Sequence, residues 1–292
     1  MSKTLNNKLI LGTVQMGLAY GINNTIGKVS LEDSHAIFDH AYDNGITMLD
    51  SAEAYGNAHE VIGSFHKKNP TKLFQIITKL PHQFDTEIKD KVDRYLNDLK
   101  VRQLHALLFH SFSSYKENIN NFNSLIQLKA SGKIKYVGVS VYNNEEIEEV
   151  IINEQVDIIQ LPFNLFDNSN LRGDIIAKAK AKGKIIHTRS ALLQGLFFKD
   201  VNSDHQTVRR LKTELMQLSN ITKNRKSSVA ELALNYCIHQ KSIDNVLIGV
   251  DSREQLVNNI SVLNPTIGQD IVQEINNIKV SDINLLNPSL WN

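Results

Sequence analysis

Four side chains able to handle protons fall at or just beyond the ends of three short apolar runs. Ile46-Thr-Met-Leu-Asp50 ends in a carboxylate, and Tyr55 follows five residues later beside Gly56. Phe74-Gln-Ile-Ile-Thr-Lys79 ends in an ammonium, and His105-Ala-Leu-Leu-Phe-His110 in an imidazole. Reduction of a carbonyl by hydride would use all four. Charge develops on the carbonyl oxygen, so a proton donor and an electrophilic clamp are needed within hydrogen-bond reach. Tyr55 is the candidate donor, and a free phenol has a pKa of about 10. A nearby Lys79 ammonium is expected to favour the phenolate and lower that value. Asp50 would hold Lys79 in place, and His110 would orient the carbonyl through a ring N–H.

Each residue alone has a plainer use. Asp50-Ser51 suits a turn or helix cap, Tyr55 a rim contact, Lys79 a solvated surface, and His110 a hydrogen-bonded rim position. Their recurrence at three successive strand ends favours the functional reading, because strand-to-helix hand-overs are where barrels of strand–helix units gather their chemistry.

The elements that must position these groups are legible as alternating patterns. Strands are expected near 9–13, 46–50, 73–79, 104–109, 134–140, 156–160, 184–188 and 245–249. Helices are expected near 31–44, 57–67, 85–99, 117–131, 144–152, 171–182, 228–240 and 252–262. Gly45, Gly132 and Gly183 each follow a helical stretch, the place for a left-handed cap, and Asn69-Pro70 stops another helix. Proposed strand ends at 50, 79, 110 and 140 are 29, 31 and 30 residues apart, one strand–loop–helix–loop unit each. The step from 189 to 249 leaves room for extra helical sequence within 200–240. Eight such units predict an α/β fold of the (β/α)8 TIM-barrel class. A doubly wound open sheet is the rival, but Leu11-Gly-Thr-Val-Gln-Met-Gly17 does not read as a glycine-rich turn running into a helix. A single domain over 1–292, with a C-terminal tail from about 280, is the simplest division.

Composition narrows the function class. The 292 residues are 41% hydrophobic and 22% charged, which suits a soluble globular protein with a substantial core. A net charge of +1 gives no field that would recruit nucleic acid or an acidic membrane. No apolar run reaches membrane-span length, and the polar start, Met1 to Lys8, lacks a signal-peptide stretch. Cys237 is the only cysteine, so no internal disulfide or Cys-rich metal site is available, and a cytoplasmic location is expected. Its helical context makes it a core residue.

Asp50-Ser-Ala-Glu-Ala-Tyr55-Gly with Glu60-Val-Ile-Gly63 resembles the signature of the aldo-keto reductases, and Lys79 and His110 match the other members of that family's catalytic tetrad. The resemblance runs from Leu11-Gly-Thr13 to Asn259. It implies an NAD(P)H-dependent reductase of aldehydes or ketones, on a barrel that binds nicotinamide without a Rossmann domain. It places Gly12, Thr13 and Asp50 near the nicotinamide ribose, and Ser140 and Gln160 on the carboxamide. Where the family often writes an aromatic residue to stack on the nicotinamide, this chain has Arg189, whose planar guanidinium can also stack. The same stretch adds Ser190, Leu192, Gln194 and Gly195 as cofactor contacts. Val141 departs from the Asn seen in many members.

The run Val246 to Asn259 matches the family's adenosine-binding stretch before a helix N-terminus. Gly249 and Gln255 stand where NADP-preferring members carry a lysine and an arginine. Arg253 could reach a 2′-phosphate, Asp251 would repel it, and family habit points to NADP(H). Specificity is expected from Met16, Leu18, Tyr20 and Asn23, from Phe112 and Tyr115, and from Phe197 and Phe198, a mix suited to a small aldehyde or sugar-like carbonyl. Trp291 either folds back over the barrel mouth or frays. Two other functions stay open: a non-catalytic NADP-binding regulatory subunit, and a lyase using Lys79 as a Schiff-base nucleophile.

Overall fold

A computed structural model describes residues 5–83, 86–264 and 266–291. Eight parallel strands close into a barrel in chain order: β1 (Leu9–Gly12), β2 (Met48–Asp50), β3 (Gln75–Leu80), β4 (Leu104–Phe109), β5 (Ile134–Ser140), β6 (Ile158–Pro162), β7 (Ile185–Arg189) and β8 (Asn245–Ile248), with β8 pairing back onto β1. The α/β barrel expected from unit spacing is the one observed.

Helices α1 (Val14–Gly17), α2 (Leu31–Asp43), α3 (Ala58–Lys68), α4 (Ile88–Leu99), α5 (Phe112–Glu117), α6 (Phe122–Ala130), α7 (Asn144–Ile152), α8 (Ser169–Ala181), α9 (Gln206–Arg210), α10 (Lys212–Arg225), α11 (Val229–Ile238), α12 (Arg253–Ser261) and α13 (Gln269–Asn276) connect and surround the strands. Five of the expected helices start at side-chain caps: Ser30, Asn143, Ser228 and Ser252 each accept from a backbone N–H three residues on, and Asn168 from one two residues on. Gly45, Gly132 and Gly183 take positive φ at the expected positions, and α3 ends at Asn69.

Four expectations need correction. The helix read over 117–131 is α5, a 3₁₀ turn at Ile119–Asn121 and α6. A short helix, α1, does follow β1 directly, although the long helix of that unit starts only at Leu31. The helix expected from 85 begins at Ile88; residue 85 and the first four residues lie outside those described. Helix α13 was not expected, although Ile271, Val272 and Ile275 share one face that packs on the core.

Side chains alternate between two cores along each strand, as the two-residue period of a strand requires. Leu11, Leu49, Ile76, Leu107, Val137, Ile159, Ile186 and Val246 join the large outer core beneath the helices. Ile10, Ile77, Ala106, Leu108 and Ile158 form a separate inner cluster, with Met48, Tyr136, Ile185 and Leu247 packed against it. Cys237 is fully buried on α11, its thiol against the Phe163 carbonyl.

Candidate active site

Beyond the last inner-cluster residue of each strand, the same inward face carries a polar group or a glycine. Ile10 leads to Gly12, Met48 to Asp50, Ile77 to Lys79, Leu108 to His110, Ile158 to Gln160 and Leu247 to Gly249; four residues beyond Tyr136 and Ile185 come Ser140 and Arg189. The inner face thus changes from hydrocarbon to polar at the C-terminal ends of the strands. There it floors a cavity of about 670 Å³ lined by every one of these residues and by Tyr55.

Lys79 is almost wholly buried, and its ammonium donates to an Asp50 carboxylate oxygen and to the Ser51 carbonyl at 2.9 Å. The other Asp50 oxygen accepts from Gln160 Nε2 at 2.8 Å, while the Asp50 carbonyl takes both the backbone N–H (3.0 Å) and hydroxyl (3.1 Å) of Thr13. Four strands and their loops are tied together at this one aspartate, and a cap role for it is ruled out by these bonds. Burial pushes the Lys79 pKa down, and the Asp50 charge opposes that shift.

Tyr55 sits on the turn after β2, half-buried, with Lys79 Nζ 5.3 Å from its ring centre and the His110 ring edge-on at 5.7 Å. The turn is fixed by close backbone approach. A Cβ on Gly17 would lie 1.7 Å from the Tyr55 carbonyl oxygen, and one on Gly56 (φ +55) 2.5 Å from the Gly17 oxygen. The Tyr55 pKa is the reverse of what the sequence suggested. Burial raises it and the Asp50 carboxylate raises it further, against a smaller pull from Arg189. Lys79's own charge is met by Asp50, which explains why the ammonium does not lower the phenol. His110 is pushed down to about 3 by burial and by the Lys79 and Arg189 charges, so its imidazole is neutral at physiological pH.

Arg189 projects its guanidinium over the Tyr142 ring at 4.1 Å and donates to the Val141 carbonyl at 3.1 Å. The loop that follows carries left-handed backbone at Ser190, Leu193, Gln194 and Gly195, a concentration of strain typical of functional loops. The loop after β1 reaches across to it: Gln194 donates to the Tyr20 hydroxyl, and Asn23 Nδ2 to the Gly195 carbonyl. It also reaches the loop after β8, where Asn24 Nδ2 donates to Asp251 Oδ1 at 3.3 Å. Ser190, Leu192, Gln194, Gly195, Asp251, Gln255 and Asn259 all line the cavity.

Arg253 does not. Its charge is felt on α2 instead, where burial and then Arg253 lower the pKa of His40. Among the expected substrate contacts, Tyr20, Asn23 and Phe198 line the cavity, but Met16, Leu18, Phe112, Tyr115 and Phe197 do not. Met16 is fully buried, Tyr115 packs on Phe109 and Phe122, and Phe197 packs edge-on against Phe166. Trp291 is docked, its indole N–H on the Leu285 carbonyl at 3.0 Å and its ring beside His205; Pro288, not Trp291, reaches the cavity.

Sequence reasoning missed Gln15, Asn24, Tyr142, Ala230, Asn258 and Pro288. Tyr142 was findable, since it continues the alternation of β5 past Ser140. Asn24 and Ala230 arrive through loop and helix placement that no local pattern encodes.

The profile of the Aldo/keto reductase family matches residues 8–280. The chain belongs to that family. It is an oxidoreductase of the aldo/keto reductase type, a family that works with nicotinamide cofactors on small carbonyl compounds. Among curated relatives, the NADH-specific methylglyoxal reductase of Escherichia coli (strain K12) is 21% identical over 262 residues, 75% of this chain and 79% of that protein. L-galactose dehydrogenase of Arabidopsis thaliana is 23% identical, over 88% of this chain and 86% of that one. Among solved structures, an aldo-keto reductase from Bacillus halodurans in its holo form superposes with a TM-score of 0.78 at 18% identity, covering 94% of this chain and 93% of that one. Among the described residues no helix of this reductase is long and apolar enough to cross a membrane.

Proposed function

We propose that this reductase converts a small aldehyde or ketone, sugar-like in polarity, to the alcohol, with Tyr55 as proton donor and Asp50, Lys79 and His110 as its partners. The observation that carries the reading is convergence: the four side chains, held by separate strands and one turn, meet in one cavity. The residues present also fit a nicotinamide. Gln160 Oε1 is buried without a hydrogen-bond partner, an acceptor suited to a carboxamide N–H, and Ser140 stands beside it on the paired strand.

The cofactor, when bound, supplies the hydride. The chain's own groups do the rest. His110, neutral, donates a ring N–H to the carbonyl oxygen and orients it. Tyr55, kept protonated by burial, gives its proton to the oxygen as charge develops there, since an alkoxide is a far stronger base than a phenolate. Lys79 faces the phenolate that results, and Asp50 keeps Lys79 in position. Phe198, Tyr20 and Asn23 shape the space left for the substrate.

Family habit points to NADP(H), whereas the cavity favours NAD(H). Asp251 is the charged residue at the β8 end, with Asn24 fixing one carboxylate oxygen, and it would repel a 2′-phosphate but accept from a 2′-hydroxyl. The buried, lone Cys237 fits a reducing cytoplasm.

Two measurements test these readings. Tyr55→Phe should lower turnover by about 10²–10⁴-fold, the range of general acid catalysis, while NADH still binds; full turnover in the variant would end the proton-donor assignment. Asp251→Asn should tighten NADP⁺ relative to NAD⁺, and a wild-type preference for NADP⁺ would refute the role given to Asp251. For the Schiff-base rival, burial lowers the Lys79 pKa, but its nitrogen is held by the Asp50 carboxylate and the Ser51 carbonyl, so borohydride with a carbonyl compound should leave Lys79 unmodified.

A further inference from the structure

Arg189 is a cation without an anion. Among the described residues no carboxylate lies within ion-pair distance of it; Asp50 is taken by Lys79 and Gln160, and Asp167 by Arg172 through two hydrogen bonds. Its partners are a π-face, that of Tyr142, and one carbonyl, that of Val141. It is half-buried, inward-facing, and close enough for its charge to act on Tyr20, Tyr55, Lys79 and His110, and on the Asp167 carboxylate that Arg172 already neutralises. With Lys79 and Asp50 neutralising each other and His110 neutral, Arg189 leaves the chemical end of the cavity with one uncompensated positive charge.

We propose that Arg189 makes this site hold the reduced nicotinamide more tightly than the oxidised one, and so commits the enzyme to carbonyl reduction. The inference rests on the reductase reading above. Hydride transfer requires the nicotinamide C4 within about 3–3.5 Å of the carbonyl carbon, whose oxygen lies about 2.6–3.2 Å from the Tyr55 hydroxyl. Any ring so placed is inside the region where Arg189 already acts. Hydride leaves the neutral dihydronicotinamide with its electron pair and reduces the carbonyl carbon, the proton comes from Tyr55 and is replaced from solvent, and the ring left behind bears a positive charge. Arg189 is indifferent to that ring before transfer and repels it afterwards. Over a few ångströms, well inside one Debye length and at a half-buried side chain, salt screens the repulsion only in part. Its effect is to favour loading of the reduced cofactor and to hasten release of the oxidised one, a step that often limits turnover. An aromatic residue in the same place would stack on both forms without this bias.

The test is equilibrium binding to the full chain without substrate. NADH is titrated by its own fluorescence and NAD⁺ by calorimetry, with NADPH and NADP⁺ in parallel, for wild type, Arg189→Gln, Arg189→Tyr and Arg189→Lys, each checked by thermal melting. In the wild type the Kd of the oxidised form should exceed that of the reduced form by about tenfold, the size of a one-unit pKa interaction. The ratio should collapse towards one in either neutral variant and persist in Arg189→Lys. A wild-type ratio at or below one overturns the proposal. So does a ratio that stays unchanged in the neutral variants while both constants weaken together, the result expected if Arg189 grips the cofactor's phosphates. A wild type that binds no nicotinamide in either form would instead remove the reductase reading on which the inference stands.

Discussion

Asp50 is the residue on which the site's geometry depends, because its three oxygens are claimed by Lys79, Gln160 and Thr13. A buried pair of this kind contributes little net stability when intact but is costly to break. Lys79→Met should therefore destabilise the fold by about 3–5 kcal/mol, by leaving a buried carboxylate with only its Gln160 donor. Chemical denaturation measures this, and a loss under about 1 kcal/mol would show that Asp50 is relieved by solvent. Restoring neutrality with Asp50→Asn in the same chain should recover much of the loss without recovering turnover. The residue types at these positions were plain in the sequence, since the chemistry they share names them. Their ionisation was not. The phenol's upward shift depends on enclosure and on the pairing of the nearest cation, and neither is written in a run of residues.

At the scale of elements, the strands were readable because period and spacing are local properties, and each site residue at a strand end lay in register with an inner-facing residue two or four positions back. What the sequence hid was how loops meet. Nothing in Tyr20 to Asn24 reveals that this loop bonds to the loops after both β7 and β8, closing over the cavity from residues more than 170 positions away. The misplaced aromatic residues have the same cause: Phe112, Tyr115 and Phe197 follow the correct strands, yet helix packing, not loop identity, turned Tyr115 and Phe197 into the core. The tight contact between α1 and the Tyr55 turn gives a prediction that belongs to this scale. Gly17→Ala must push the Tyr55 carbonyl aside, since its Cβ would sit 1.7 Å from that oxygen. Overpacking of this sort costs about 1–3 kcal/mol, and the displaced turn carries the proposed proton donor. Thermal melting and turnover should therefore fall together in Gly17→Ala, while Gly27→Ala, at a site with open space around it, changes only the former. Unaltered turnover in a folded Gly17→Ala protein would mean that the turn is not what places Tyr55.

The molecule as a whole carries its histidines in an unusual state. His110 and His187 are pushed down to about 3, and His59 and His105 to about 4, in each case first by burial. His187 is depressed further by His105 and His105 by Lys135, while His59 hydrogen-bonds Thr78 behind β3. An unfolded histidine titrates near 6.5. Between that value and about 4 the unfolded chain therefore binds more protons than the folded one, at four separate sites, so stability must rise with pH across this window and fall as acid is added. The contribution is complete above pH 6.5 and drains away below it, well before most carboxylates titrate. The melting temperature should accordingly be level from about pH 7 to 8 and drop steadily from pH 6.5 to pH 4. A replacement that removes one of these imidazoles without touching the catalytic groups, such as His105→Gln at the far end of β4, should make the decline shallower by one proton's worth of slope. A melting temperature that holds constant down to pH 4 would mean that the barrel admits protons to these rings while folded, and that its interior is wetter than the packing of Ile77, Leu108 and Ile158 around it implies.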